Sequence, residues 1–188
     1  MNTTDPFTDQ VRSSIECIAE NGAAGLSGLF DLTATRLVRF SVTITRNQHD
    51  AEDAVQAALV RVVANIRLIR AADAPWSYLL RMVRNESLVI LRKKKRWPLE
   101  SSLTDMLTRR TVDTLEQEET HRAVWSALRS LPTEQSEVVV LKIWEELTFA
   151  QIAEVLELPP ATAASRYRYA LSKLAGHLRS LKNGARRE

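Results

Sequence analysis

From Asp50 onward, apolar residues fall at Ala54, Val55, Ala58, Leu59, Val62, Val63 and Ile66, with polar residues filling the gaps. That stripe has the helical period, and no strand could bury it on one face. The same spacing recurs along most of the chain. Residues 8–20 are weakly amphipathic and meet a stop at Asn21-Gly22. Residues 23–46 place Leu29, Phe30, Leu37, Val38 and Phe40 roughly on one side of a second helix. Asp50 can cap the third, and Glu52 and Asp53 suit the positive end of its dipole. Pro75 fits the first turn of a helix running to about Arg96, with Leu79, Met82, Val83 and Ile90 as its core stripe. A chain of 188 residues that is 45% hydrophobic, with 5 Gly and 6 Pro, is neither loop-rich all-β nor disordered in composition.

The pattern weakens after Trp97-Pro98. Residues 97–115 are rich in Ser and Thr and read as a linker with room for a short helix. Order resumes near Glu116, where Val124, Trp125, Leu128 and Leu131 form a stripe ended by Pro132. Glu134 to Trp144 reads as a further helix anchored by Val138, Val139, Leu141 and Ile143. Thr148-Phe149-Ala150-Gln151 is a capping box opening a short helix to about Leu156. Pro159-Pro160 then restarts the chain into a helix from 161 to about 181. The expected fold class is all-α, with two small helical domains at 1–97 and 116–188 joined by a linker at 98–115.

Several classes of function are excluded. The single cysteine, Cys17, rules out an internal disulfide and a cysteine-rich zinc site, and it is expected to be buried. No run approaches the roughly 18 apolar residues of a membrane span. The polar N-terminus (Asn2, Thr3, Thr4, Asp5) has no signal pattern, so the chain is expected to be soluble and cytoplasmic. Capping explains Asp50, Glu52 and Asp53 better than a metal does. His49, His121 and His177 are far apart in sequence and are expected at the surface. There is no glycine-rich phosphate loop and no nucleophile elbow, so neither an enzyme activity nor a cofactor is expected.

Charge is small overall, +3, but unevenly placed. Residues 81–96 carry seven Arg or Lys against one acid, residues 160–188 again seven against one, and residues 113–157 three against ten acids. Two cationic blocks flanking an acidic one suit two polyanion contacts, or simply solvated helix faces. In the C-terminal half, a short helix, the turn Glu157-Leu158-Pro159 and a basic helix have the parts of a helix-turn-helix. The second helix would bury Ala163, Tyr167, Ala170, Leu171 and Leu174. It would present Thr162, Ser165, Arg166, Tyr169 and Lys173, with Arg168 at the margin. Such a face fits the major groove, where Arg reads guanine and Ser or Thr reach phosphates and base edges. In the N-terminal half, Arg81, Arg84, Asn85, Leu88 and Arg92 share a face that Lys93, Lys94, Lys95 and Arg96 extend. Upstream lie the loop Arg70-Ala71-Ala72-Asp73-Ala74-Pro75 and then Trp76 and Tyr78. Cations beside aromatics and an amide suit unpaired DNA. Equally, the two aromatics could fill the core.

Taken together, these segments resemble the extracytoplasmic-function sigma factors of bacterial RNA polymerase, over roughly residues 20–178. Asp50-Ala51-Glu52-Asp53-Ala54-Val55-Gln56 looks like the region 2.2 signature. Tyr78 to Asn85 and Leu91 to Arg96 look like regions 2.3 and 2.4. Leu131-Pro132 through Gln135, Leu147 to Ala153, Thr162 and Ser165-Arg166 look like region 4. The chain departs from the family in having Tyr78 for Trp and Ala57 and Leu59 for the usual Glu and aromatic. It also has Glu157 for the turn Gly, and Ala161, Ala163 and Ala164 around the recognition-helix Thr. If residue 157 must have positive φ, a non-glycine there costs about 1 kcal/mol.

The resemblance implies an alternative sigma factor. Asp50, Glu52, Asp53 and Gln56 would meet the β′ clamp helices of core RNA polymerase, and region 4 the β flap. Arg70, Asp73, Trp76, Arg81, Arg84, Asn85, Arg92, Lys93 and Lys94 would serve minus-ten recognition, with the loop 70–75 accepting a base flipped from promoter DNA. Thr162, Ser165, Arg166, Arg168, Tyr169 and Lys173 would read the minus-thirty-five element. It further implies an anti-sigma factor as a regulator, no membrane partner, and no large C-terminal regulatory domain, since the chain stops at Glu188. Two other readings share the pattern. A stand-alone helix-turn-helix regulator would need a two-fold partner, for which no apolar heptad is present. A helical adaptor would have no DNA role.

Overall fold

The computed structural model describes residues 6–96 and 119–184, and the chain divides into two compact units, Met1–Arg96 and Trp97–Glu188. The linker expected over 97–115 lies outside the described residues. Every regular element among the described residues is helical, and none of these helices is long and apolar enough to cross a membrane.

The first unit contains α1 (Pro6–Asn21), a 3-10 turn (Gly22–Gly25), α2 (Leu26–Thr45), α3 (Gln48–Ala64), the short α4 (Ile66–Arg70) and α5 (Pro75–Arg96). The second helix was expected from residue 23, but the 3-10 turn intervenes. Gly22 takes φ +61°, and Gly25 packs so close to α1 that a Cβ there would lie 2.8 Å from the Cys17 carbonyl oxygen. Arg46 in the left-handed region (φ 58°) ends α2 and turns the chain into α3. Asn47, not Asp50, caps α3: its Oδ1 accepts the Asp50 amide at 3.0 Å. The cap falls three residues earlier because the Asp50 side chain is used elsewhere.

The core of this unit combines Val11, Ile15 and Ile18 of α1 with Leu29, Leu37, Phe40 and Ile44 of α2. To these α3 adds Ala51, Ala54, Val55, Ala58, Leu59 and Val62, and α5 adds Leu79, Leu80 and Val83. Each large side chain buried here is worth about 1.5–3 kcal/mol. Expected core members Met82, Val38 and Ile90 are half-buried, and Phe30 stands 45% exposed. Cys17 is exposed rather than buried, because Ile15 and Ile18 take the inward face of α1. Between α2 and α5 the hydroxyls of Ser41 and Ser87 meet at 2.7 Å, and Ser87 also donates to the Val83 carbonyl. These bonds satisfy polar groups that burial would otherwise penalise.

The second unit contains α6 (Glu119–Ser130), α7 (Thr133–Ile143), α8 (Phe149–Leu156) and α9 (Pro160–Gly184). Ala127, Leu128, Leu131, Val138 to Leu141, Leu147, Ile152, Ala153, Val155, Leu156, Ala163 and Ala170 form its core. Trp125 and Trp144 stack beside it with centroids 5.9 Å apart. Ile143 and Leu171, expected inside, are exposed, because each lies to one side of its helix's buried stripe. The capping box at Thr148 and Gln151 is complete. Glu157 stands at φ 55°, ψ 51°, the left-handed conformation that bends α8 into α9.

Two substitutions check this packing. Glu157→Gly is expected to stabilise the second unit by about 1 kcal/mol, since glycine takes positive φ without a Cβ clash. Slower amide exchange in α8 and α9 would register the gain. Gly25→Ala is expected to cost about 1–3 kcal/mol by overpacking against α1, read as a lower midpoint in thermal unfolding.

Candidate nucleic-acid interfaces

Two ion pairs lock α3 against α5. Lys94 Nζ lies 2.7 Å from Asp50 Oδ2, with side chains only 24% and 10% exposed. Arg61 Nε lies 2.9 Å from Glu86 Oε1, and that carboxylate is 9% exposed. Asp50 faces Lys94 while Arg61 faces Glu86, so the helices run antiparallel. Among the expected site residues, Asp50 and Lys94, assigned to two different partners, therefore bind one another.

The rest of α5 separates by exposure. Leu79, Leu80 and Val83 point inward, while Asn85, Arg92, Lys93, Lys95 and Arg96 are exposed and Arg81 and Arg84 are half-buried. The Arg81 guanidinium lies 4.8 Å from the Tyr78 ring centroid, a cation–π contact that aims it across the helix face. Arg92 Nε donates to the Leu88 carbonyl at 3.1 Å. The four cations of the last turn also suit the negative end of the helix dipole. A face of this kind attracts phosphates.

Trp76 does not belong to it. The side chain is 4% exposed and packs edge-to-face on Phe7 with centroids 4.9 Å apart, so no base can stack on it. The sequence left core and stacking roles open for this residue, and the approach of α1 decides for the core. Arg70 is exposed but tied to Glu16, with Nε 2.8 Å from Oε2. Asp73 is exposed, and its carbonyl accepts a hydrogen bond from Arg12.

On α3 the exposed face carries Glu52, Asp53 and Gln56 and continues to Val60, which is 68% exposed. Gln48 donates to Glu52 at 2.7 Å and His49 lies 3.7 Å from Asp53. Val60 was missed because the sequence reading followed the buried stripe. Its signal was an apolar residue falling outside that stripe.

In the second unit the capped α8 and the left-handed Glu157 present α9. Ala163 and Ala170 are buried, and Tyr167 is half-buried against Phe149, with ring centroids 5.7 Å apart. Arg168, Tyr169 and Lys173 are exposed, while Thr162, Ser165 and Arg166 are half-buried. Arg168, placed at the margin from sequence, is thus more open to solvent than Arg166. The Ser165 hydroxyl donates to the Thr162 carbonyl at 2.9 Å. This bond within the helix leaves the hydroxyl oxygen to accept from a partner.

Known proteins share these parts. The family model for Sigma-70 region 2 matches residues 29–97, and that for Sigma-70, region 4 matches residues 121–174. The chain is 32% identical over 176 residues to the ECF RNA polymerase sigma factor SigM of Mycobacterium tuberculosis, covering 92% of this chain and 88% of that one. It is 24% identical over 183 residues to the ECF RNA polymerase sigma factor SigW of Bacillus subtilis, covering 91% and 98%. The fold is also similar to that of the sigma factor RpoE from Bartonella quintana, solved with the anti-sigma factor NepR. There the TM-score is 0.63 at 21% identity, covering 80% of this chain and 94% of that one.

The Asp50–Lys94 pair yields a direct expectation. Lys94→Met leaves a nearly buried carboxylate unpaired and should destabilise the first unit by about 2 kcal/mol, with most of the loss recovered in the Asp50→Asn, Lys94→Met double variant. A double-mutant cycle by urea unfolding measures the coupling.

Proposed function

The chain belongs to the extracytoplasmic-function sigma factors of the sigma-70 family, and from that premise we propose how its surfaces divide the work. As an alternative sigma factor it binds core RNA polymerase and directs promoter recognition and transcription initiation, and it carries no enzymatic step of its own. Residues 1–97 serve as region 2, 98–115 as the tether and 116–188 as region 4.

The observation that carries this division is the separation of charge on the first unit. Carboxylates Glu52 and Asp53 are exposed in the first turns of α3, while Arg92, Lys93, Lys95 and Arg96 are exposed in a run at the end of α5. DNA is repelled by the first surface and drawn to the second. We therefore assign Glu52, Asp53, Gln56 and Val60 to the β′ clamp helices, with the apolar Val60 giving the contact a desolvated centre. Asp50 supports this surface from behind through Lys94 instead of meeting the polymerase itself.

Arg81, Arg84, Asn85, Arg92 and Lys93 face the minus-ten DNA. The loop 70–75 receives the flipped base, with Asp73 at its rim. Unstacking a base costs a few kcal/mol, which its capture offsets. On α9, Arg166 and Arg168 flank the groove-facing side, Thr162, Ser165 and Tyr169 lie between them, and Lys173 holds a phosphate. The second unit also docks on the β flap. The polymerase sets the spacing of the two DNA contacts, so the free chain binds DNA weakly. The reading places the protein in the cytoplasm, where the polymerase acts. The anti-sigma factor seated on Bartonella quintana RpoE supports a regulator of the same kind here.

Reconstitution with core polymerase and run-off transcription on a promoter library tests the assignment. Arg166→Ala is expected to cost about 1–3 kcal/mol at its base pair, roughly 5- to 150-fold, and to relax preference there. Lys173→Met should weaken all promoters alike and reduce the salt slope by about 1. A Glu52→Lys, Asp53→Lys variant should lose core polymerase in co-purification. Its retention of full affinity would remove the clamp assignment.

A further inference from the structure

The matched region 2 begins at residue 29, so α1 lies before it. Yet α1 touches the 70–75 loop and the first turn of α5 at three successive points. Phe7 packs edge-on against Trp76, with the Arg36 guanidinium 3.7 Å from the Phe7 ring centroid and 5.2 Å from that of Trp76. Arg12 donates to the Asp73 carbonyl. Glu16 holds Arg70, its two carboxylate oxygens 3.0 and 2.8 Å from Nε. As the α1 residue number rises from 7 to 16, its partner falls from 76 to 70. The helix therefore runs antiparallel along the whole segment that joins α4 to α5. Its buried residues Val11, Ile15 and Ile18 anchor it to the core.

We propose that α1 is the template for the minus-ten loop, with Arg12 and Glu16 as positioning residues that set the loop's shape before DNA arrives. The inference rests on the reading of 70–75 as the base-accepting loop. Its physical basis is preorganisation. A loop already held at both ends and at an internal carbonyl loses less conformational freedom when a base enters. A backbone carbonyl is a useful anchor, because it fixes the path of the chain without consuming a side chain that could meet DNA. Glu16 also restrains the Arg70 guanidinium, so Arg70 acts by shaping the loop more than by neutralising a phosphate. An exposed ion pair adds little to stability by itself. Loss of these tethers should therefore appear in base discrimination before it appears in folding.

The test uses holoenzyme assembled from the full chain and core polymerase, transcribing a promoter library randomised across the minus-ten element. Three proteins are compared with the unaltered chain: Arg12→Met with Glu16→Ala, Arg12→Lys alone, and a version with residues 71–74 replaced by Gly-Ser-Gly-Ser. The double variant is expected to lose about tenfold in discrimination at the position the loop reads, equal to roughly 1.4 kcal/mol. Core-polymerase affinity and melting temperature should stay unchanged, and Arg12→Lys, which keeps a donor for the carbonyl, should retain most of the discrimination. If the loop replacement flattens the preference but the double variant stays within twofold of the unaltered chain, the template role is overturned and base capture stands. If the double variant loses folding, polymerase affinity and discrimination together, and Arg12→Lys shows the same combined loss, α1 is a general support and the proposal falls. If the loop replacement leaves the preference intact, base capture itself fails and the template role goes with it.

Discussion

The antiparallel contact of α3 with α5 is the constraint on which the first unit depends. The two helices bury alanines and valines of α3 and Leu79, Leu80 and Val83 of α5 in one core, and two ion pairs join them. Apolar burial supplies most of the driving force. The ion pairs add register, because breaking either one leaves a carboxylate with little access to water. One consequence is functional. The surface assigned to the polymerase and the surface assigned to unpaired DNA belong to two helices that this contact joins.

The second unit solves a simpler problem. A short helix must stop sharply enough for the next to leave at an angle. The capping box at Thr148 defines where α8 starts, and the left-handed Glu157 defines where it ends. A glutamate at that position is a local cost accepted for a sharp turn. The small Ala163 and Ala170 then let α9 pack close to α7 and α8, so its larger side chains are kept for the outer face.

Much of this was legible from residues alone, because helix periodicity, capping boxes and proline starts are local signals. The stripe from Ala54 to Val62, the Pro75 start and the Thr148 box could all be read within a few residues of chain, whereas a left-handed Glu157 was raised only by the resemblance to a family with Gly there. Errors fell where two local signals competed. Asn47 and Asp50 are both capping residues, and a long-range partner for the Asp50 carboxylate left the cap to Asn47. Phe30, Ile143 and Leu171 are apolar at spacings near the buried stripe, yet a shift of a few tens of degrees around the helix puts each in water.

By itself, then, the sequence determined the helical elements, their order and the polarity of their faces, since each depends on residues within one or two turns. It also carried the family. Tertiary structure alone decided which polar and aromatic residues on those faces remain open to a partner. Trp76 is covered by Phe7, Arg70 is taken by Glu16, and Asp50 is taken by Lys94. Each of these pairs joins separate helices, and periodicity along one helix carries no information about what another brings alongside it.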